Sequence, residues 1–166
     1  MMNIKRVIVG ELETNCYIVS VGSKCIVIDP GAEYSKIKEC IKDKMVVAVL
    51  ITHNHFDHVG ALKYFDKNIV YDKSNLEEKE YNMSGFNFNV IYTPGHKEDA
   101  ITIYFKKENI MFTGDFIFKG AIGRTDLLGG SDIDMLKSLN KMKKYPKDTL
   151  IYPGHGDSTK LLNELD

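Results

Sequence analysis

Residues 50–60 read Leu-Ile-Thr-His-Asn-His-Phe-Asp-His-Val-Gly, and no other stretch constrains the chain as much. They close a continuous apolar run, residues 45–51, of the kind a strand shows when both its faces are covered. Four potential metal ligands, His53, His55, Asp57 and His58, then fall within six residues. In extended backbone alternate side chains share a face, so His53 and His55 can grip one cation, while Asp57 and His58, at the turn into a following helix, reach a neighbouring one. A lone histidine is most often a satisfied core residue; several at ligand spacing reverse that reading.

The other two histidines occur in Thr93-Pro94-Gly95-His96 and Tyr152-Pro153-Gly154-His155, each directly after a predicted strand, where Pro and Gly fix a turn and admit close backbone approach. Phe112-Thr113-Gly114-Asp115 sets a carboxylate at a further strand end, suited to bridging two metals. All five histidines are thus expected in loops that reach one edge of the fold.

Strands are expected over residues 5–9, 16–21, 24–28, 69–71, 87–93, 101–105, 109–113 and 149–152, rich in Ile and Val and bounded by Gly, Pro and Asp. The spacing predicts helices over 35–42, with Ile37 and Ile41 on one face, over 59–65, and over 131–142, where Ser131 caps and Asp132 and Asp134 suit the first turn. Residues 74–81 read as a polar helix or loop. The same plan of strand, acidic turn, helix, strand and His-bearing loop runs from Ile26 to His58 and again from Ile110 to His155. Two such halves pack as sheet on sheet with helices outside, and ligands in such sheets sit at the strand-end edge. Residues 1–166 are expected to form a single domain.

Twenty-two basic and 23 acidic residues leave a net charge of −1 with no polybasic run, which speaks against a nucleic-acid partner. Apolar stretches are too short for a bilayer, no signal-peptide pattern opens the chain, and three cysteines (Cys16, Cys25, Cys40) form no C-x-x-C pair. A reduced, cytoplasmic protein without a membrane partner is the expectation.

His53-Asn54-His55-Phe56-Asp57-His58 resembles the H-x-H-x-D-H signature of the metallo-β-lactamase superfamily, and the later motifs arrive in that family's order. The loop Ile122-Gly123-Arg124-Thr125-Asp126 and the ending Tyr152-Pro153-Gly154-His155-Gly156 are similar to the glyoxalase II-like branch. The resemblance implies an α/β (α+β) fold, a four-layer αββα sandwich with its active site at one edge of the two sheets. It implies that His53, His55 and His96 hold one metal and that Asp57, His58 and His155 hold another, with Asp115 between them. For Asp29, in Asp29-Pro30-Gly31, it implies a structural turn role.

Departures from the pattern are also visible. Glutathione-specific glyoxalase II enzymes carry a C-terminal helical region, whereas this sequence ends at Asp166. The stretch between His58 and His96 is shorter than usual. Lys97 and Ala100 stand where the family often has Thr and a small polar residue; Lys97 is too long to replace a hydroxyl beside His96, so another group must orient that ring.

Nitrogen and oxygen donors without thiolate suit two divalent ions, zinc first, with iron or manganese compatible. A water bridging them has its pKa lowered from 15.7 toward about 7, so a metal-bridging hydroxide is the expected nucleophile, with Asp57 and Asp115 as catalytic carboxylates. A thiol of pKa about 8.5 departs with little protonation, which favours a small acyl-thiol such as S-lactoyl-glutathione or an analogue. The expected activity is that of a glyoxalase II-like thioesterase. Other esters or lactones are alternatives, while β-lactams are disfavoured because the di-zinc β-lactamases commonly have a cysteine in place of Asp115. Another alternative is a persulfide dioxygenase-like mononuclear iron enzyme; those proteins share the G-R-T-D loop but typically show alanine where this chain has Gly154. Arg124 either contacts a substrate carboxylate or pairs with Asp126 to hold its loop, and Lys119 and Lys97 are further substrate-binding candidates.

Overall fold

A computed structural model describes residues 1–165. Its first sheet holds β1 (Asn3–Val9), β2 (Thr14–Val21), β3 (Lys24–Ile28), β4 (Met45–Leu50) and β5 (Val70–Tyr71), paired in that order. Helix α1 (Tyr34–Ile41) links β3 to β4, which run parallel, and α2 (Phe56–Val59) follows β4. The second sheet has the order β13-β12-β9-β8-β7-β6, from β6 (Glu80–Met83), β7 (Phe86–Tyr92), β8 (Ile101–Phe105), β9 (Ile110–Gly114), β12 (Leu150–Pro153) and β13 (Thr159–Lys160). A small ribbon, β10 (Ile117–Phe118) with β11 (Ala121–Ile122), leaves the end of β9. Helices α3 (Asp132–Met142) and α4 (Leu161–Glu164) complete the chain.

Period-two alternation divides the buried side chains into layers. Ile26, Ile28, Ala48 and Leu50 point between the sheets, where they meet Ile101, Ile103, Phe105 and Phe112 of the second sheet. The alternate residues Cys25, Val27 and Val49 face outward onto Ile37 and Ile41 of α1. On the other side Tyr104, Met111 and Ile151 pack under Met135 and Met142 of α3 and Leu161 of α4. The result is the expected helix–sheet–sheet–helix sandwich. Ser131 caps α3 as expected, its hydroxyl oxygen accepting from the Asp134 amide at 3.2 Å.

Several local expectations need correction. The helix expected over 59–65 begins earlier, as α2, with a single 3-10 turn at Leu62–Tyr64 behind it. Asp57 and His58 therefore sit on the helix itself, and Gly60, its C-cap, leaves no room for a Cβ against the Gly31 carbonyl. Residues 74–81 form neither a helix nor a plain loop: their end enters β6, whose Glu80–Met83 pair with Asn89–Phe86 in a hairpin. Ser84 and Gly85, both with positive φ, make that turn, and the polar surface of β6 hid its alternation.

Because β3 and β4 are parallel, β9 and β12 are parallel, and β7 lies two antiparallel steps from β9, the C-terminal ends of all five strands lie at one edge. The two sheets are stitched together there. Ile101 N donates to Thr52 O at 2.8 Å, Tyr17 Oη donates to Pro153 O at 2.6 Å, and Asn15 Nδ2 donates to Pro153 O and Gly156 O.

Candidate metal centre

The expected ligands fall into two groups whose ligating atoms lie within 4.8 Å of one another: His53, His55, His96 and Asp115, and Asp57, His58, Asp115 and His155. The first sheet supplies four of the seven residues from the loop and helix after β4. The second supplies His96 beyond β7, Asp115 beyond β9 and His155 beyond β12. Asp115 lies between the groups. Its Oδ2 stands 3.6 Å from His53 Nε2 and 3.5 Å from His96 Nε2, while its Oδ1 stands 3.2 Å from His58 Nε2 and 3.4 Å from His155 Nε2. Asp57 Oδ2 completes the second group, 3.3 Å from His58 Nε2 and 3.2 Å from His155 Nε2.

Four rings are fixed by their other nitrogen. His58 Nδ1 donates to Asp29 Oδ2 at 2.8 Å, His96 Nδ1 to the carbonyl of Arg124 at 2.8 Å, and His155 Nδ1 to the carbonyl of Leu12 at 3.0 Å. His53 Nδ1 lies 3.1 Å from Thr52 Oγ1, and that hydroxyl donates onward to Asp29 Oδ2 at 2.6 Å. Such contacts set the tautomer and aim each Nε2 inward. Three of the inward atoms, His53 Nε2, His58 Nε2 and Asp115 Oδ1, are buried without a well-formed hydrogen bond, while His96 Nε2 lies 3.0 Å from His55 Nδ1. Orphaned polar atoms of this kind cost free energy unless something satisfies them, and here they converge on common centres. A divalent cation in each group fits that requirement, and nitrogen with carboxylate oxygen is the donor set zinc, iron and manganese accept.

Electrostatics divide the cluster. Burial keeps His53, His55 and His96 below the ordinary imidazole value. His155 is pushed up to about 10 by its bonds to Asp115 and Asp57. Burial opposes charge on His58, but Asp29, Asp115 and Asp57 outweigh it and hold that ring well above the ordinary value. Asp57 and Asp115 are also opposed by burial, yet His155 and its neighbouring imidazoles hold both far below the carboxylate range. The first half of the cluster thus favours neutral imidazole, and the second favours charged imidazole beside carboxylate.

Two of the three substrate-binding candidates have carboxylate partners. Arg124 is forked onto Asp126, Nε to Oδ1 at 2.7 Å and Nη2 to Oδ2 at 2.9 Å, and its contribution to the cluster is the backbone carbonyl on His96. Lys97 is paired with Asp99 at 3.5 Å and Glu98 at 3.9 Å. Lys119 is exposed on the ribbon turn between β10 and β11. Sequence reasoning missed Asp29 as an orienting group, along with Thr52 and Thr14, whose hydroxyl donates to Asp57 Oδ2 at 3.0 Å. The signal for Asp29 was its place at the end of β3, mirroring Asp115 at the end of β9.

A sandwich with a His/Asp cluster at its shared edge defines the class of metallo-hydrolases, and known proteins resolve it further. The metallo-beta-lactamase superfamily model matches residues 9–75 and 69–155. This chain belongs to the metallo-β-lactamase superfamily. A probable metallo-hydrolase of Bacillus subtilis (strain 168), YqgX, is 33% identical over 99% of this chain and 95% of its own length. The hydroxyacylglutathione hydrolase GloC of Haemophilus influenzae is 27% identical over 98% of this chain and 95% of its own. Among solved structures, the BLEG-1 B3 metallo-beta-lactamase superposes with a TM-score of 0.89 at 29% identity, covering 97% of this chain and 95% of its own. TTHA1623, solved in a di-iron-bound form, reaches 0.85 at 29% identity over 96% of each chain.

Proposed function

We propose that this chain is a glyoxalase II-like thioesterase that hydrolyses a small acyl-thiol, S-lactoyl-glutathione or an analogue, in the cytoplasm. The observation that carries the reading is that all five histidines belong to the cluster, so no imidazole is left over to protonate a leaving group. A thiolate, with a thiol pKa of about 8.5, leaves without that help, whereas an amide nitrogen does not.

Two divalent ions held by the seven ligands would supply a water of lowered pKa and an electrophile for the substrate carbonyl. The chain's own part is positioning. Asp57, fixed by the Thr14 hydroxyl, and Asp115, fixed by its place between the two groups, are the carboxylates able to accept and orient a water proton. Arg124 and Lys97 already have carboxylate partners, so they give the substrate little charge to bind. Apolar groups border the cluster instead. Phe56, between two ligands, is 76% exposed, and the Phe118 ring lies 6.1 Å from that of His155. Both suit the carbon skeleton of an acyl-thiol. Three free cysteines, two of them buried, accord with a reducing compartment, and no helix among the described residues is long and apolar enough to cross a membrane.

The likeness to hydroxyacylglutathione hydrolase GloC supports this reading. The test is a comparison on metal-loaded protein of thiol release from an acyl-thiol panel, β-lactam ring opening, and oxygen uptake with glutathione persulfide. Thiol release should exceed the other two by orders of magnitude. Oxygen uptake without thiol release would transfer the chain to the dioxygenase class, and ring opening alone would make it a β-lactamase.

A further inference from the structure

We propose that Gly154 is the residue that keeps room for the second metal ion, and that a side chain at this position closes the Asp57–His58–His155 half of the cluster while leaving the His53–His55–His96 half open. The inference rests on the reading of the cluster as a two-metal site and adds which residue decides the number of ions.

Gly154 follows β12, just beyond a register shift that pairs Pro153 with Gly114. Its backbone is pinned on both sides: its amide donates to Gly114 O at 2.9 Å, and its carbonyl accepts from Asn15 N at 2.7 Å. A Cβ on Gly154 would fall inside van der Waals contact of Asp115 Oδ1, 2.8 Å from His58 Cε1 and 3.1 Å from the Gly114 carbonyl carbon. Because the peptide cannot retreat without breaking two hydrogen bonds, a ligand must yield. The His58 ring is fully buried and held at Nδ1 by Asp29, which leaves the Asp115 carboxylate as the movable partner.

The clash is selective. Oδ1 is the Asp115 oxygen that faces His58 and His155, whereas Oδ2 faces His53 and His96. Displacing Oδ1 removes a shared donor from the second half and leaves the first with three imidazoles. The other tight glycines press first on atoms that do not ligate: a Cβ on Gly114 would strike the Thr52 side chain, one on Gly31 the backbone of Asp57, and one on Gly123 the backbone of Asp115. Gly154 also lacks a positive φ, so alanine meets no backbone strain and its effect is one of space alone.

The experiment measures zinc per chain by elemental analysis after loading and desalting, with cobalt absorption spectra as a second readout, on the wild type, G154A and H155A. The wild type should hold two ions, and G154A and H155A one, with the second-site affinity of G154A down by on the order of 100-fold. G154A that keeps two ions at unchanged affinity overturns the proposal, and so does G154A that holds none, since the clash would then not discriminate between the halves. If G154A fails to fold, the double variant G154A/H58A, which lacks the ring at 2.8 Å, is compared with H58A alone: it should fold and bind a second ion more weakly than H58A does, and equal affinity or a failure to fold also overturns the proposal. A wild type holding a single ion would instead sink the two-metal reading itself, and with it this proposal.

Discussion

Asp29 orients a ligand of each metal group from one buried carboxylate. Oδ2 accepts the His58 Nδ1 hydrogen bond directly and, through the Thr52 hydroxyl, governs His53; Oδ1 accepts from the Thr52 amide at 2.8 Å. Asp29→Asn keeps the volume but cannot accept all three bonds, so metal affinity should fall about 10–100-fold, read by chelator competition, with the fold retained. Asp115→Asn should weaken both groups together, and a variant with full metal content and rate would refute its bridging place. The cluster's protonation gives a further outcome. His155 keeps its proton up to about pH 10 in the metal-free protein, so a cation entering its half must displace it. Second-site affinity therefore rises with pH toward that value and falls in acid, and calorimetry in buffers of different ionisation enthalpy should detect the released proton. The same raised value means that the His155 ion pairs stabilise the metal-free fold fully below the ordinary imidazole value of 6.5 and cease to do so as pH rises through about 10. At this scale the seven candidate ligands were legible because ligand chemistry is written in residue type and spacing. The groups that aim them were not, since two of them are backbone carbonyls, of Arg124 and Leu12, which any residue could supply.

Strands bring ligands together by ending at a common edge, so the element scale is where the site gains its rigidity. Phe105 on β8 is fully buried between the sheets against Phe88 and Phe112. Phe105→Ala should cost about 3–5 kcal/mol, seen as a lower denaturant midpoint with an unchanged slope. The apolar strands β3, β4, β8 and β9 and the amphipathic α1 and α3 could be read from the chain, because burial on both faces or on one face leaves its period in the sequence. Residues 80–83 left no such mark. β6 is a half-exposed edge strand whose partner, not its own composition, makes it a strand. Helix α2 was placed late for a related reason: its His and Asp side chains serve the cluster, and the apolar periodicity that announces a helix starts only after them.

For the whole molecule, the cluster joins two sheets that otherwise meet through apolar packing and a few bonds at one edge. Four ligands come from the first sheet and three from the second. An ion that binds only the assembled sandwich stabilises it by mass action, about 2.7 kcal/mol at a hundredfold excess over its dissociation constant. Chelation should therefore lower the thermal midpoint, and excess zinc should restore it. The most direct measurement is the metal content of the purified protein, chain for chain, alongside its thioester-cleaving rate. Two ions per chain, with the rate lost on chelation and regained on reloading, is the predicted result. Full activity in protein stripped of metal would contradict the account.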